Sequence, residues 1–401
     1  MKRDALQFLV LMGLVAMLAD LGYEGMRGAV GPYLGLLGAS AATVGFVAGL
    51  GELLGFGLRV FSGWLADRTR AWWPLLFLGY GVNLVAIPGL AFAGSWEAAI
   101  GLVLLERVGK ALRSPAKSTL VSHAAHALGP GKAFGLEEAL DQLGAILGPL
   151  LVAVAVWARE GTSQERYQGA FLVLAVPIVL NLALLAVARL RFPDPSALEP
   201  PPRPGDAPLP GAFGLYLLAS GLFAAGLADW ALLSWHLGRT GQLGDVLLPA
   251  VYAGAMAVDA VAALLFGALF DRVGLRALAL ALLLAAPAAG LVLLGEGPWA
   301  VAAGVAAWAI GMGAQESIAK AAIATLVVKE RRARAYGRFF AAFGLAWWLG
   351  SWGLGLLYER SLLALAVVSA AAQLAAIPLL LLLARRISAG RPAPSAPPPA
   401  P

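Results

Sequence analysis

The sequence contains no cysteine, which excludes disulfide bonds and thiolate metal sites. Charge is also scarce, because only 13% of the 401 residues are Asp, Glu, Lys or Arg, against about 25% in a typical soluble domain. Hydrophobic residues make up 60% of the chain. This balance excludes an ordinary soluble domain and predicts a protein that lies within a lipid bilayer.

Long apolar runs account for most of this composition. A helix needs about 20 apolar residues to cross a bilayer, and turn residues and charges divide the chain into twelve segments of that length. Their approximate spans are 6–36, 40–65, 73–94, 97–122, 132–157, 168–190, 212–237, 244–270, 275–295, 298–327, 335–358 and 361–386. The sequence therefore predicts an all-α membrane protein with twelve transmembrane helices.

The basic residues predict the orientation of these helices. With the N-terminus in the cytoplasm, eighteen lysines and arginines fall on inner loops and tails, and four fall on outer loops. This positive-inside bias predicts a multi-pass protein of the bacterial cytoplasmic (inner) membrane with both termini cytoplasmic. The net charge of +6 is then a topology signal, and we expect no nucleic-acid partner.

A proline-rich stretch divides the chain into two halves. Residues 191–211 hold eight prolines, which cannot continue a helix and instead predict a stiff connector. We expect six-helix bundles at residues 1–190 and 212–386 on either side of this cytoplasmic connector. The proline-rich tail at 387–401 is predicted to be disordered.

The two halves share a motif. Gly63-Trp64-Leu65-Ala66-Asp67-Arg68 follows the second segment, and Gly267-Ala268-Leu269-Phe270-Asp271-Arg272 follows the eighth. The pattern G-x-L-x-D-R resembles the signature of the major facilitator superfamily. The resemblance implies two pseudo-symmetric six-helix bundles and transport by alternating access, with a gating or latch role for Asp67, Arg68, Asp271 and Arg272. The first copy departs from the family pattern at Arg70, where a glycine is usual.

Two finer resemblances follow. Asp20-x-x-Tyr23-Glu24, the run from Glu106 to Lys117, and Gln315-Glu316-Ser317 are similar to one poorly characterised bacterial subfamily, although Ser118 replaces its usual acidic residue. In the fifth segment, Gly135, Gly144, Gly148 and Pro149 resemble a motif of proton-coupled antiporters, without its closing glycine pair. The alternative interpretation of these glycines is close helix packing.

Charges inside the apolar segments follow helical spacing. Asp20, Glu24 and Arg27 are four and three residues apart, so they share one helix face. The same rule gives single faces for Glu52 and Arg59, for Glu106, Lys110, Arg113 and Lys117, and for Glu137 and Asp141. A charge at the bilayer centre costs at least about 2.5 kcal/mol, so these faces are expected to point inward as a polar core.

Asp20 and Glu24 are the predicted proton-coupling residues. We expect them near the bilayer midplane opposite Arg107 and Lys110, where burial and neighbouring like charge both oppose ionisation. The cytoplasmic end of the core is predicted to hold Arg59, Arg113, Lys117, Glu137 and Asp141, the last two in gating. The structural alternative is that these charge pairs only hold the helices together.

The second half has fewer intramembrane charges. Asp229 and Asp259 have no obvious local partner and are candidates for contacting a cationic substrate, together with the cavity or charge-partner candidates Arg27, Glu52, Arg107, Lys110 and Arg113. Glu316 is four residues from Lys320, which favours a local ion pair, and the alternative is that Glu316 lines the substrate cavity. His123 and His126 are three apart, a spacing compatible with metal, but an interfacial pair is the favoured interpretation. We therefore assign no metal and no cofactor.

Two transport functions remain open from the sequence. The first is proton-coupled export of a small amphipathic or cationic molecule by a monomer in the lipid bilayer. The second is uptake or facilitated diffusion of an anion bound by Arg107, Lys110 and Arg113, and the sign of the cavity charge discriminates the two. An enzyme is not expected, because no nucleophile–His–acid set or phosphate loop is present.

Overall fold

The computed structural model describes residues 2–128, 130–193, 211–327 and 332–389, and within them all side chains except those of residues 2, 67, 122–128, 130–135, 320, 324, 325, 332–334, 388 and 389. These ranges contain fifteen α-helices, one 3-10 turn and no strand. The helices of the N half are α1 (Lys2–Leu36), α2 (Ala41–Thr69), α3 (Trp72–Gly89), α4 (Trp96–Leu128), α5 (Pro130–Trp157), α6 (Ser163–Val173) and α7 (Ala175–Arg191). Those of the C half are α8 (Gly211–Gly226), α9 (Trp230–Arg239), α10 (Leu247–Val273), α11 (Arg276–Ala285), α12 (Ala288–Leu294), α13 (Pro298–Leu326), α14 (Arg332–Tyr358) and α15 (Leu362–Ala389).

The fifteen helices form twelve membrane segments, six in each half. Three segments are broken, between α6 and α7, between α8 and α9, and between α11 and α12, where Pro287 interrupts the helix. Ten spans are long and apolar enough to cross a membrane by composition alone. The other two segments, α4 and α13, are 33 and 29 residues long. The predicted all-α architecture of two pseudo-symmetric bundles is confirmed.

The seventh segment was predicted to be one continuous helix over 212–237, but it consists of two helices. α8 ends at Gly226 and α9 begins at Trp230, with Asp229 as the cap whose side chain accepts a hydrogen bond from the Ala231 N–H at 2.9 Å. Because Asp229 has extended backbone angles, it does not share a helix face with His236. An aspartate is a preferred N-cap residue, but the surrounding apolar run hid this signal.

Two other helix boundaries also differ from their predicted positions. The fourth and fifth segments were predicted to end at 122 and begin at 132, whereas α4 extends to Leu128 and α5 begins at Pro130. The run His-Ala-Ala-His-Ala-Leu over 123–128 contains no helix breaker, and Pro130 suits a first helical position. Most of the predicted connector 191–211 and tail 387–401 lies outside the described residues.

Close helix packing determines how each half is built. α1 packs on α5 in the N half, and α10 packs on α13 in the C half. Gly144 and Gly148 of α5 lie against the α1 backbone, where a Cβ at Gly148 would come within 2.8 Å of the Gly25 nitrogen. Small residues permit this approach of two backbones. The halves meet along α2 and α14, α1 and α9, and α5 and α10.

The outer surface is apolar and the interior is partly charged. Large exposed side chains such as Leu190, Leu363 and Trp299 cover the outside, whereas Glu24, Arg27 and others are buried. This is the reverse of the arrangement in a soluble protein, and it is the arrangement expected in lipid. The polar core that the spacing predicted therefore lies inside the bundle.

Candidate functional site

A cavity of about 490 Å³ lies between the halves. We call the face where α1 begins and α15 ends the terminal face. Three of the lining helices run toward that face: α2 contributes within 52–59, α10 within 256–264 and α13 within 312–319. Two run away from it: α5 contributes within 138–145 and α14 within 339–347. The cavity therefore occupies the middle of the molecule and extends toward the terminal face.

Arg27 is the centre of a buried charge network at the end of this cavity that lies away from the terminal face. Its guanidinium nitrogens lie 3.8 Å from carboxylate oxygens of Glu24 on the same helix, of Glu52 on α2 and of Asp229 at the start of α9. The sequence offered no partner for Asp229, and the structure provides one in the opposite half. One cation thus connects three acids from three elements.

Arg107 and Lys110 of α4 complete the network. Arg107 pairs with Glu52 at 3.1 Å and donates a hydrogen bond to the Tyr23 hydroxyl. Its guanidinium also lies over the Tyr23 ring at 4.8 Å, and the Lys110 ammonium lies 3.4 Å from the centre of the same ring. Both cations are therefore engaged by carboxylate or aromatic groups.

Glu24 connects the two halves directly. The Tyr252 hydroxyl of α10 donates a 2.6 Å hydrogen bond to the Glu24 carboxylate. The Tyr252 ring stacks on Trp230 at 4.8 Å, next to Trp308. A hydrogen bond to a charged group is strong, at about 1.5–3 kcal/mol, so this bond is a substantial contact between the halves.

Two further carboxylates, those of Asp20 and Asp259, line the cavity without such partners. Asp20 is half-buried on α1, where the surrounding charges are Asp141, Lys110, Glu24 and Lys117. Asp259 is only 4% exposed on α10. In the part of the chain that the structure describes, neither carboxylate forms an ion pair or a side-chain hydrogen bond.

The remaining N-half charges lie around or beside the cavity. Lys117 pairs with Glu137 at 2.8 Å and approaches Asp141 at 3.8 Å, so the two predicted gating acids share one cation. Arg113 is buried outside the cavity lining, over the Tyr80 ring at 4.8 Å. Glu106 is fully buried and lies 3.9 Å from Arg107.

The predicted latch residues lie on the terminal side. Arg68, Asp271 and Arg272 are exposed, and Arg68 lies over the Trp64 ring at 5.5 Å. The side chain of Asp67 lies outside the described part of the structure. The same applies to the side chains of His123, His126 and Lys320, so the predicted Glu316–Lys320 pair is not described, although Glu316 lines the cavity.

Aromatic side chains form one wall of the cavity. Phe340 stacks on Phe56 at 5.2 Å, and Phe343 contacts Trp347 edge-on at 5.6 Å. The spacing of 340, 343 and 347 places the C-half members on one face of α14, which is the signal that could have identified the wall.

The opposite face is closed by contacts between the halves. The Asp245 carboxylate, in the loop before α10, accepts hydrogen bonds from Ser163 at 2.6 Å and Arg166 at 3.3 Å at the start of α6. Glu359, beyond α14, accepts from the Ala42 N–H at the start of α2 at 3.2 Å. We call these contacts the opposite-face seal. No sequence motif marked Asp245 or Glu359, because both lie in short polar loops.

Comparison with known proteins adds a family. Residues 12–241 match the family model of the Major Facilitator Superfamily. An uncharacterized protein of Mycobacterium tuberculosis is 40% identical over 389 residues, 93% of this chain and 92% of the relative. An uncharacterized MFS-type transporter of Methanocaldococcus jannaschii is 28% identical over 221 residues, 55% of this chain and 54% of the relative.

Solved structures agree with the fold. The nucleoside transporter NupG superposes with a TM-score of 0.71 at 12% identity, covering 95% of this chain and 99% of that one. A peptide transporter POT in complex with sulfate gives 0.75 at 16% identity, covering 96% and 94%. At these identities the likeness shows the fold alone.

Proposed function

Because the chain belongs to the Major Facilitator Superfamily and is a multi-pass membrane transporter rather than an enzyme, we propose that it exports a small amphipathic or cationic molecule in exchange for protons. The observation that carries this proposal is the charge of the cavity. Among the side chains that the structure describes, the lining holds seven carboxylates against four basic groups. An acid-rich, low-dielectric cleft attracts cations and concentrates them.

The anion alternative has less support from the same residues. It needs Arg107, Lys110 and Arg113 as binding charges, but Arg107 is paired with Glu52 and Lys110 lies over an aromatic ring. Arg113 does not line the cavity. An anion would have to displace these contacts and enter a site whose described lining has more carboxylates than basic groups, which is unfavourable.

Proton coupling is proposed at Asp20 and Glu24. Both line the cavity on α1, and proton uptake there changes a charge that the network around Arg27 balances. Protonation of Glu24 weakens its attraction to Arg27 and its hydrogen bond from Tyr252. Since Tyr252 belongs to the other half, the proton and the relative position of the halves become linked.

Alternating access follows from the closed and open ends of the molecule. The positive-inside pattern supports a terminal face in the cytoplasm of a bacterial inner membrane, and with that orientation this structure corresponds to an inward-facing state. Export then requires the opposite-face seal to open and the terminal side to close around the loaded cavity. Asp271 with Arg272, and Asp67 with Arg68, are the proposed latch for that closed terminal side. We propose that a single subunit performs this cycle.

The test is proton movement in proteoliposomes. A pH-sensitive dye reports proton flux while organic cations, anions and neutral solutes are added in turn to the wild type, Asp20→Asn, Glu24→Gln and the control Glu97→Gln. Glu97 is an exposed residue at the start of α4, away from the cavity. We expect cation-triggered proton flux in the wild type and the control, and its loss in the two α1 variants. Solute movement without proton flux in the wild type would favour the facilitator alternative, and flux that persists in Glu24→Gln would remove the assignment of the coupling site.

A further inference from the structure

The C half of the cavity combines an unpartnered carboxylate with an aromatic wall, and we propose that this is where the substrate binds. Asp259 receives the cationic group, and Phe340, Phe343 and Trp347 of α14 contact the apolar body. The substrate class is then monovalent organic cations with a bulky apolar or aromatic part. This inference deepens the proposed export function and rests on it for its physiological meaning.

Asp259 is fixed in position by backbone packing. A Cβ at Gly313 of α13 would collide with the Asp259 carbonyl group, so the two helices are in direct contact at this point. One turn away on either side of Asp259, Met256 and Ala263 also line the cavity. The carboxylate is therefore held on a rigid element and directed to the space between the halves, as a binding group should be.

The electrostatic surroundings of Asp259 favour an external cation. Among the described residues, the charged groups that act most strongly on it are the acids Glu316, Glu24 and Glu138, against one cation, Arg27. Arg27 itself lies near three carboxylates. A buried carboxylate without a partner is costly, and a bound ammonium or phosphonium group offsets that cost.

The aromatic wall that lines the same cavity as this carboxylate suits an apolar body. Phe340, Phe343 and Trp347 lie on one face of α14, and the ring of Phe343 meets Trp347 edge-on. Met256 and Met312 line the same cavity, and their unbranched thioether side chains adapt to ligands of different shape. Aromatic faces also attract cations directly.

The two halves contribute different charged groups to the cavity. All four basic side chains of the described lining belong to the N half, where they are paired or stacked near the acids of α1 and α2. The C half contributes no basic side chain to the described lining and supplies the carboxylates of Asp259 and Glu316. The N half thus handles the proton, and the C half selects the substrate by charge and shape.

The test is equilibrium binding of tetraphenylphosphonium to the purified full chain in nanodiscs, at constant pH and without a gradient. Tetraphenylborate, which has the same shape and the opposite charge, is the ligand control. We expect saturable binding of the cation and at least about tenfold weaker binding of the borate, because the charge contact is lost and reversed. Equal binding of both ions would overturn the proposal.

Two variants locate the site. Asp259→Asn keeps the side-chain shape and should weaken cation binding by about tenfold or more. Glu138→Gln removes one charge from the N-half side of the same cavity and should weaken binding by less than about twofold, through the general potential alone. Unchanged binding in Asp259→Asn, or an equal loss in both variants, would refute the specific role of Asp259.

A protection experiment avoids the possibility that Asp259→Asn fails to fold. In the cysteine-free chain, Ala263→Cys introduces one thiol a turn from Asp259 in the cavity lining. Tetraphenylphosphonium should slow maleimide labelling of this thiol, and tetraphenylborate should not. Labelling that the cation leaves unchanged would contradict the site. None of these readouts uses proton flux, so they separate this inference from the coupling that the proteoliposome assay tests.

Discussion

Glu24 is contacted from both halves of the molecule. Arg27 approaches it at 3.8 Å from its own helix, and the Tyr252 hydroxyl donates to it at 2.6 Å from α10. The ion pair with Arg27 at 3.8 Å tolerates several side-chain orientations. The short hydrogen bond from Tyr252 requires one orientation of its donor and acceptor. We therefore propose that Tyr252 is the group through which a proton on Glu24 changes the contact between the halves.

Replacement of Tyr252 by Phe tests this connection. We expect Tyr252→Phe to fold and bind cations, but to transport with little dependence on pH, because the C half no longer responds to Glu24. The ratio of protons to substrate moved in proteoliposomes should fall at least about tenfold, because the hydrogen bond that is lost contributes about 1.5–3 kcal/mol. Tyr216→Phe is the control, since Tyr216 is equally buried in the C half and stacks on Phe339 away from the network. A wild-type ratio in Tyr252→Phe would contradict the connection.

At this scale the sequence predicts partners on one helix better than partners on two. The common face of Asp20, Glu24 and Arg27 follows from spacing within α1. The contact between Glu24 and Tyr252 joins residues 228 positions apart, and a tyrosine in an apolar segment carries no local signal. The pairing of Arg27 with Asp229 was hidden for the same reason.

Two glycines of helix α5 allow close packing against a neighbouring helix. Gly144 and Gly148 lie against the backbone of α1, with Gly25 facing Gly148. The sequence left two interpretations for these glycines, antiport and packing. The packing has a direct structural basis here, and the antiport interpretation remains a proposal that the flux experiment tests.

A single methyl group at Gly148 should loosen this element. In Gly148→Ala the new Cβ would lie within 3.0 Å of backbone atoms of α1, and overpacking of this kind costs about 1–3 kcal/mol. We expect a lower midpoint of thermal unfolding, followed by tryptophan fluorescence in detergent. Gly101→Ala on α4 is the matched control, because its Cβ would meet no atom within 4 Å. Equal midpoints for the two variants would show that the α1–α5 contact tolerates the extra methyl.

The break between α8 and α9 is the main feature of a single segment that the sequence did not predict. Hydropathy describes the length of an apolar run, and it does not report where backbone hydrogen bonds stop. Asp229 caps α9 and pairs with Arg27, so its carboxylate satisfies the helix end and the charge network together. Irregular backbone within a membrane is tolerated where it is buried in protein.

For the whole molecule, the opposite-face seal decides which side of the cavity is open. The Ser163 hydroxyl and the Asp245 carboxylate are 2.6 Å apart and belong to different halves. A double variant, Ser163→Cys with Asp245→Cys, should form a disulfide under oxidation and stop transport, and a reductant should restore it. The single-cysteine variants are the controls. Transport that continues in the oxidised pair would show that the seal does not need to open.

The number of segments and the presence of two bundles could be predicted from the sequence, because composition and apolar length determine what can span a bilayer. The conformational state could not be predicted. It depends on contacts such as Asp245 with Arg166 and Glu359 with Ala42, each of which connects a loop of the C half to the start of a helix in the N half. A transporter uses one sequence for several such sets of contacts.

The excess of carboxylates in the cavity has an electrical consequence. The transmembrane voltage does about 2.3 kcal/mol of work on each elementary charge per 100 mV, so the cycle responds to voltage only through the net charge that changes sides. Exchange of one proton for one monovalent cation moves no net charge. Such a carrier would be driven by the pH difference alone and would continue to work in a cell whose membrane potential has collapsed.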